Sequence, residues 1–242
     1  MKTKSIGHRG FPGSYPENTM SGFRAAVAAG ADGIEFDVQL SKDGELVVLH
    51  DERVDRTSDG SGWVHELTWK EIAALDAGAW FGAEFKGEGI PHFVELLDWA
   101  SELDLLLNIE LKNGSVPCPG LEARVVEEVA QRGLESRVIL SSFNHLSVAE
   151  LHRIAPNLRT GIIYAARMIE PWNYAQQAGA QALHPNRMFV DEYLMKGAHE
   201  AGLQVNTYTV NDEWEMRRML ELGVDAVITN YPDLFEKVRR SF

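Results

Sequence analysis

GADGIEFDVQLSKDGELVVLHD, residues 30–51, decides how the rest of the chain is read. Its first half, GIEFDVQL at 33–40, has the Val, Ile and Leu content of a buried strand, and residues two apart on a strand share a face. Glu35 and Asp37 therefore point together. Its second half, LVVLH at 46–50, also reads as a strand, yet it follows Leu40 after only SKDGE. Parallel neighbours need a crossover of about a dozen residues or more, so 46–50 cannot be the next parallel strand. Lys42, Asp43 and Gly44 suit a tight turn, which makes 46–50 the return arm of a hairpin.

Further strands are expected at 5–8, 105–112, 138–143, 160–164, 182–185, 205–210 and 226–230. Amphipathic helix candidates fill the gaps at 19–29, 94–103, 121–132, 147–154, 172–177, 191–201, 213–222 and 233–240. Several end before glycine, at AAG, QRG, EAG and ELG, as helices commonly do. With the hairpin arm set aside, eight parallel strands alternate with helices, the pattern of an α/β TIM (β/α)8 barrel. The 242 residues match the ~250 typical of that fold and predict one domain over 1–242. The stretch 51–92 breaks the rhythm and is expected to be a small inserted cap after the second barrel strand and its hairpin. Trp80, Phe81 and Phe85 within it are expected to pack the cap onto the barrel, with lining of a substrate as the alternative. The hairpin returns His50 toward the barrel mouth.

Composition narrows the function. Hydrophobic residues make up 45% and charged residues 24%, ordinary for a globular domain. No apolar run approaches the ~18 residues of a membrane span, and MKTKSIGHRG holds no apolar signal core. A cytoplasmic protein without a membrane anchor is the expectation. Cys118 is the only cysteine, which excludes an internal disulfide and a thiolate zinc cluster. A formal charge of -13 argues against a nucleic-acid partner, which requires a basic footprint. An anionic substrate would need local positive charge from a metal or a few placed Arg and Lys.

Working residues of such a barrel lie at the carboxyl-terminal strand ends. There Glu35 pairs with Asp37 and, in LNIELK, Glu110 with Lys112 on one face. Three carboxylates converging on the axis cannot all stay ionised without a counter-charge, and a divalent cation with oxygen ligands, Mg2+ or Ca2+, supplies one. Separate ion pairs with Lys112 or Arg9 are the alternative. His8 and His50 at the same mouth suit acid and base work near neutral pH. Arg9, with its planar fork, and Lys112, a point charge, suit a phosphate diester. His65, His92, His145, His152, His184 and His199 have no comparable setting and are read as structural.

The segment IGHRGFPGSYPENTMSGFRAAVAAGADGIEFDVQLSKDGELVVLHD strongly resembles the opening of the glycerophosphodiester phosphodiesterase family. The match rests on the HRG turn, the PENT segment, the E-x-D strand and the later HD. RTSDGSG, IPHFVELL, IELK, LSSF, TVN and TNYP extend it along nearly the whole chain. The resemblance implies metal-dependent hydrolysis of small soluble glycerophosphodiesters to sn-glycerol 3-phosphate and an alcohol. It implies a metal held by Glu35, Asp37 and Glu110, with Mg2+, Ca2+ or Mn2+ as candidates. It further implies His8 and His50 as the acid/base pair, and Arg9 and Lys112 on the phosphate. Glu17 and Asn18 of PENT would support the site, Asn18 being also a plausible helix N-cap, and Phe143 and Tyr208 would contact the glycerol end. Family members often carry Trp before TVN where this chain reads TYTVN, and its GSYPENT segment is slightly longer than the most compact version. Rival readings are a lysophospholipase D or phosphoinositide-phospholipase-like enzyme, which would need a membrane-binding surface, and a barrel that binds without catalysis.

Overall fold

The structure, a computed structural model, describes residues 3–242. Its strands are β1 (Lys4–His8), β2 (Gly33–Leu40), β3 (Leu46–Val48), β4 (Leu106–Leu111), β5 (Val138–Ser142), β6 (Arg159–Tyr164), β7 (Ala182–Pro185), β8 (Gln204–Thr207) and β9 (Ala226–Thr229). They form one sheet in the order β1-β9-β8-β7-β6-β5-β4-β2-β3, and β1 also pairs with β2. That last pairing closes eight parallel strands into a barrel and leaves β3 outside the ring. β3 runs antiparallel to β2, with Val38 opposite Val48 and Leu40 opposite Leu46, as the short SKDGE connection requires.

The hairpin occupies a vacated edge. β1 pairs with β2 only from Gly33 to Glu35, while β4 holds the other edge from Gly33 to Val38. β3 therefore takes the β1-side edge where β1 has turned away. The turn between them is fixed by Ser41, whose Oγ donates to Asp43 Oδ1 at 2.7 Å and accepts from Glu45 N at 3.0 Å. Gly44 sits there at φ +82, a conformation that glycine adopts without strain.

The helices of the outer ring are α1 (Met20–Ala28), α3 (Phe93–Ser101), α4 (Leu121–Gln131), α5 (His145–Ile154), α6 (Pro171–Gln177), α7 (Glu192–Glu200), α8 (Glu213–Leu222) and α9 (Pro232–Ser241). Side-chain caps start several of them: Thr19 accepts from Gly22 N, Asn144 from Leu146 N, Asp191 from Leu194 N and Asp212 from Glu215 N. Thr19, not Asn18, is thus the N-cap of α1. Asn18 is free for another partner, described below. Between barrel and helices, Phe36 of β2 is fully buried, with Phe23 of α1 and Phe93 of α3 at ring separations of 5.8 and 6.1 Å.

The insertion builds a satellite core from Val47, Leu49, Val54, Val64, Ile72, Ala77 and Ile90. Its one α-helical piece, α2 (Trp69–Ile72), is a single turn opened by a Thr68/Glu71 capping box. Phe85 stacks edge-on against Tyr15 of the β1–α1 loop at 5.4 Å, and Phe81 against Phe85 at 5.5 Å. These aromatics therefore pack the cap to the barrel, while Trp80 stays 42% exposed.

Five strands stop earlier than expected, among them β4 at Leu111 and β9 at Thr229, each by a single residue. β3 ends at Val48, β5 at Ser142 and β8 at Thr207, so His50, Phe143 and Tyr208 lie just beyond strand ends, on the mouth loops. Phe143 and Tyr208, with β-favouring side chains, extended the strand pattern past the last ladder pairing.

Phe36→Ala should cost about 3–5 kcal/mol, because it empties a site walled on both sides by aromatic rings. Urea unfolding would measure it, and a loss below about 1 kcal/mol would mean that this layer closes over the gap.

Candidate active site

Strand register assembles the mouth. β1 and β2 place His8 opposite Glu35, and β2 and β4 place Asp37 opposite Glu110. One oxygen from each of Glu35, Asp37 and Glu110 lies within 4.8 Å of the others. Asp37 is fully buried and Glu35 is 3% exposed.

Two left-handed residues other than glycine, Arg9 and Asn18, feed this cluster. After β1 the chain turns through Arg9 at φ +52 and Gly10 at φ +91. A Cβ on Gly10 would fall 2.7 Å from the Gly22 carbonyl carbon, so α1 packs directly on this turn. The turn aims Arg9 N at Glu35 Oε2, 2.9 Å away, and sets the Arg9 Nε 3.5 Å from Asp37 Oδ2. Asn18, at φ +53, donates from Nδ2 to Asp37 Oδ2 at 2.9 Å. On the opposite side Lys112 Nζ donates to Glu110 Oε1 at 2.9 Å and stands 3.9 Å from Asp37 Oδ1. Ion pairing and clustering of the acids, posed as alternatives by the sequence, coexist here.

Charge is shared unevenly. Burial acts to raise Asp37, but Arg9, His50, Lys112 and the Asn18 hydrogen bond together hold it below its ordinary value. Burial raises Glu35, and the neighbouring charges of Asp37 and Glu110 raise it further. Glu110 is likewise pushed up by burial and by Asp37, against the pull of Lys112. Asp37 Oδ1 and Arg9 Nε are buried and without a hydrogen-bond partner. An all-oxygen donor set, an orphaned carboxylate oxygen and two carboxyls reluctant to ionise together fit a hard divalent cation, which would satisfy all three conditions.

The histidines are each oriented by a second group. His8 Nδ1 lies 2.6 Å from Asn230 Oδ1, and its Nε2 stands 4.0 Å from Glu35 Oε2. Since the amide oxygen can only accept, Nδ1 carries the hydrogen and Nε2 offers a lone pair. Burial, with Arg9 alongside, lowers His8 to about 4, so it is neutral at pH 7. His50 Nδ1 lies 2.6 Å from Asp51 Oδ1. Asp51 is held well below the carboxylate range by hydrogen bonds from Arg56 and His50.

Arg56 was not singled out from sequence, nor was a role given to Asn230 or Asp51. Arg56 donates to both oxygens of Glu17, at 2.9 and 2.8 Å, and to both oxygens of Asp51, at 2.7 and 3.0 Å. Glu17 also accepts from Arg9 at 2.8 Å, so cap, hairpin and β1–α1 loop are tied through one guanidinium. The signal lay in RTSDGSG, which begins with this arginine. Phe143 and Tyr208 meet edge-on at 6.0 Å across the mouth. The Tyr208 hydroxyl donates to Tyr164 O at 3.1 Å. Of the remaining histidines, His184 is buried in the barrel, lowered to about 3 by desolvation.

Acid, base and cationic groups meeting at the carboxyl-terminal mouth define a (β/α)8-barrel enzyme. The model of the glycerophosphoryl diester phosphodiesterase family matches residues 8–234. A glycerophosphodiester phosphodiesterase of Caldanaerobacter subterraneus is 44% identical over 241 residues, 99% of either chain. The solved structure of an Oleispira antarctica phosphodiesterase in complex with the product sn-glycerol-3-phosphate is similar at TM-score 0.89 and 32% identity, covering 98% of this chain and 96% of that one. A glycerophosphodiester phosphodiesterase from Agrobacterium tumefaciens gives TM-score 0.87 at 31% identity, covering 97% and 99%. The chain belongs to the glycerophosphoryl diester phosphodiesterase family.

Asn18→Ala removes a buried donor from Asp37 and should lower stability by about 1–3 kcal/mol in urea unfolding. An unchanged midpoint would mean that Asp37 keeps its charge without that amide.

Proposed function

We propose that this chain, folded as one barrel domain with its cap at 51–92, hydrolyses small glycerophosphodiesters to sn-glycerol 3-phosphate and an alcohol in the cytoplasm. The observation that carries the reading is the register that sets His8 beside Glu35 and Asp37 beside Glu110, with Arg9 and Lys112 flanking both pairs. Glu35, Asp37 and Glu110 are the proposed ligands of Mg2+, Ca2+ or Mn2+. Such an ion would supply Lewis-acid stabilisation of the phosphate charge. Arg9 and Lys112 offset the charge that remains, one as a fork and one as a point.

The attacking oxygen bonds to phosphorus as the bond to the alcohol oxygen breaks; it comes from water, or from the substrate's own glycerol hydroxyl, which gives a cyclic phosphate that water then opens by breaking one ring P–O bond. His8 Nε2, with its lone pair directed by the Asn230 bond, takes the attacking proton. His50 gives a proton to the leaving oxygen, and the Asp51 carboxylate compensates the charge of a protonated His50, the orienting logic of a His–Asp pair. Glu17 and Asn18 position Arg9 and Asp37. Phe143 and Tyr208 form an edge for the glycerol carbons, which concentrates recognition on that half of the substrate.

One observation favours a second reading. Phe143, Leu146, Ile169, Met188, Trp214 and Tyr231 are exposed large hydrophobic residues, all in loops or first helical turns on the mouth side of the barrel. These side chains support a reading in which the mouth meets a lipid surface, and lysophospholipids are the substrates that reading would suit. Among the described residues no helix is long and apolar enough to cross a membrane.

Turnover of glycerophosphocholine should vanish in chelator and return with Mg2+, Ca2+ or Mn2+. Full activity at nil metal content would remove the ion from the scheme. His8→Ala and His50→Ala should each lower kcat by about a hundredfold or more with the circular dichroism unchanged. Glu110→Gln should instead be partly rescued by excess metal. Phosphorus NMR reads the products: phosphate left on choline would overturn the cleavage site, and preferred turnover of lysophosphatidylcholine would favour the second reading.

A further inference from the structure

The barrel axis is not filled at its lower, amino-terminal end. A cavity of about 400 Å3 opens there, within the range of small-molecule sites. Barrels of this fold normally fill their interior with layers of bulky branched side chains. Here Ile6, Ile139 and Ile228 form the walls, while Asn108 and Asn206 close the inner end. Lys4, Arg159 and Gln204, the first residues of β1, β6 and β8, stand at the rim with Asp225, which precedes β9.

Three groups in this cavity have unspent capacity. Asn108 and Asn206 are 6% and 5% exposed. Asn108 Oδ1 accepts from Ser141 at 3.3 Å, and Asn206 Nδ2 meets His184 Nε2 at 3.1 Å. Asn108 Nδ2 and Asn206 Oδ1, a donor and an acceptor, have no partner among the described residues. Arg159 donates once, to Ser136 O at 2.9 Å, and forms no ion pair among the described residues, although the chain carries 36 acidic side chains against 23 basic ones. Burial, with no offsetting carboxylate, lowers its pKa. The other rim charges are engaged: Asp225 accepts from His199 and from Val205 N, and Lys4 lies 3.9 Å from Asp32.

We propose that the lower cavity is a second, non-catalytic site for a short aliphatic acid that bears a hydroxyl at its far end. The carboxylate pairs with Arg159, the chain lies on Ile6, Ile139 and Ile228, and the hydroxyl accepts from Asn108 and donates to Asn206. Rim and inner end are two strand residues apart, about 7 Å, which suits a chain of medium length.

Calorimetry with ω-hydroxyhexanoate, hexanoate and hexanol on the full chain tests this. The hydroxy acid should bind most tightly, and sn-glycerol 3-phosphate should not displace it. Arg159→Gln should weaken it about tenfold, as expected for a lost charge-assisted pair, while leaving glycerophosphocholine turnover unchanged. Arg159→Lys should retain part of the affinity, and Asn206→Leu should abolish the preference over hexanoate. Absence of low-millimolar binding, equal affinity in Arg159→Gln, or displacement by sn-glycerol 3-phosphate would overturn the proposal; the last would put the acid in the catalytic mouth.

Discussion

Three carboxyls gathered out of water at one end of a barrel set the terms for the rest of the mouth. Their mutual repulsion and desolvation must be offset locally, and much of the surrounding backbone is arranged to do so. Arg9 and Asn18 both adopt left-handed conformations. Such conformations cost on the order of 1–3 kcal/mol when the surroundings impose them. In return, Arg9 N reaches Glu35 and Asn18 Nδ2 reaches Asp37. Lys112 needs no such contortion, because it follows directly on β4, two residues after Glu110, and reaches it at 2.9 Å.

The cap depends on the same charges. Arg56 binds Glu17, itself a partner of Arg9, and Asp51, the partner of His50. Arg56 thus links the groups that orient one cation and one imidazole of the mouth. The hairpin makes this connection short, since β3 occupies the edge of β2 beyond β1 and delivers the chain back to the mouth at His50. The cap grows from that point without interrupting the closed ring.

Much of this was legible in the sequence because it depends on local period and loop length. Glu35 and Asp37 had to share a face, and five residues could not connect parallel neighbours. Barrel register is different: no local feature sets His8 against Glu35 or Asp37 against Glu110. Arg56, Asp51 and Asn230 stay hidden for a related reason, since a polar loop residue carries no period and its meaning lies in a partner. PENT holds two cap-type residues in succession, and only the structure separates Thr19, which caps α1, from Asn18, which serves Asp37. Phe143 and Tyr208 show that β-favouring side chains continue past the end of a ladder.

The pairing of the first strand with the last has a consequence for how the protein is made. His8 and the Asn230 that orients it are 222 residues apart, and the ring closes only when β9 inserts beside β1. At a synthesis rate of roughly 5–20 residues per second, about 10–45 s separate the emergence of the two partners. A nascent or truncated chain that already carries both histidines and all three carboxylates still has an open sheet and an unoriented His8. Ring closure and the orientation of His8 therefore wait until β9 has been made, and a chain released before that point keeps an open sheet.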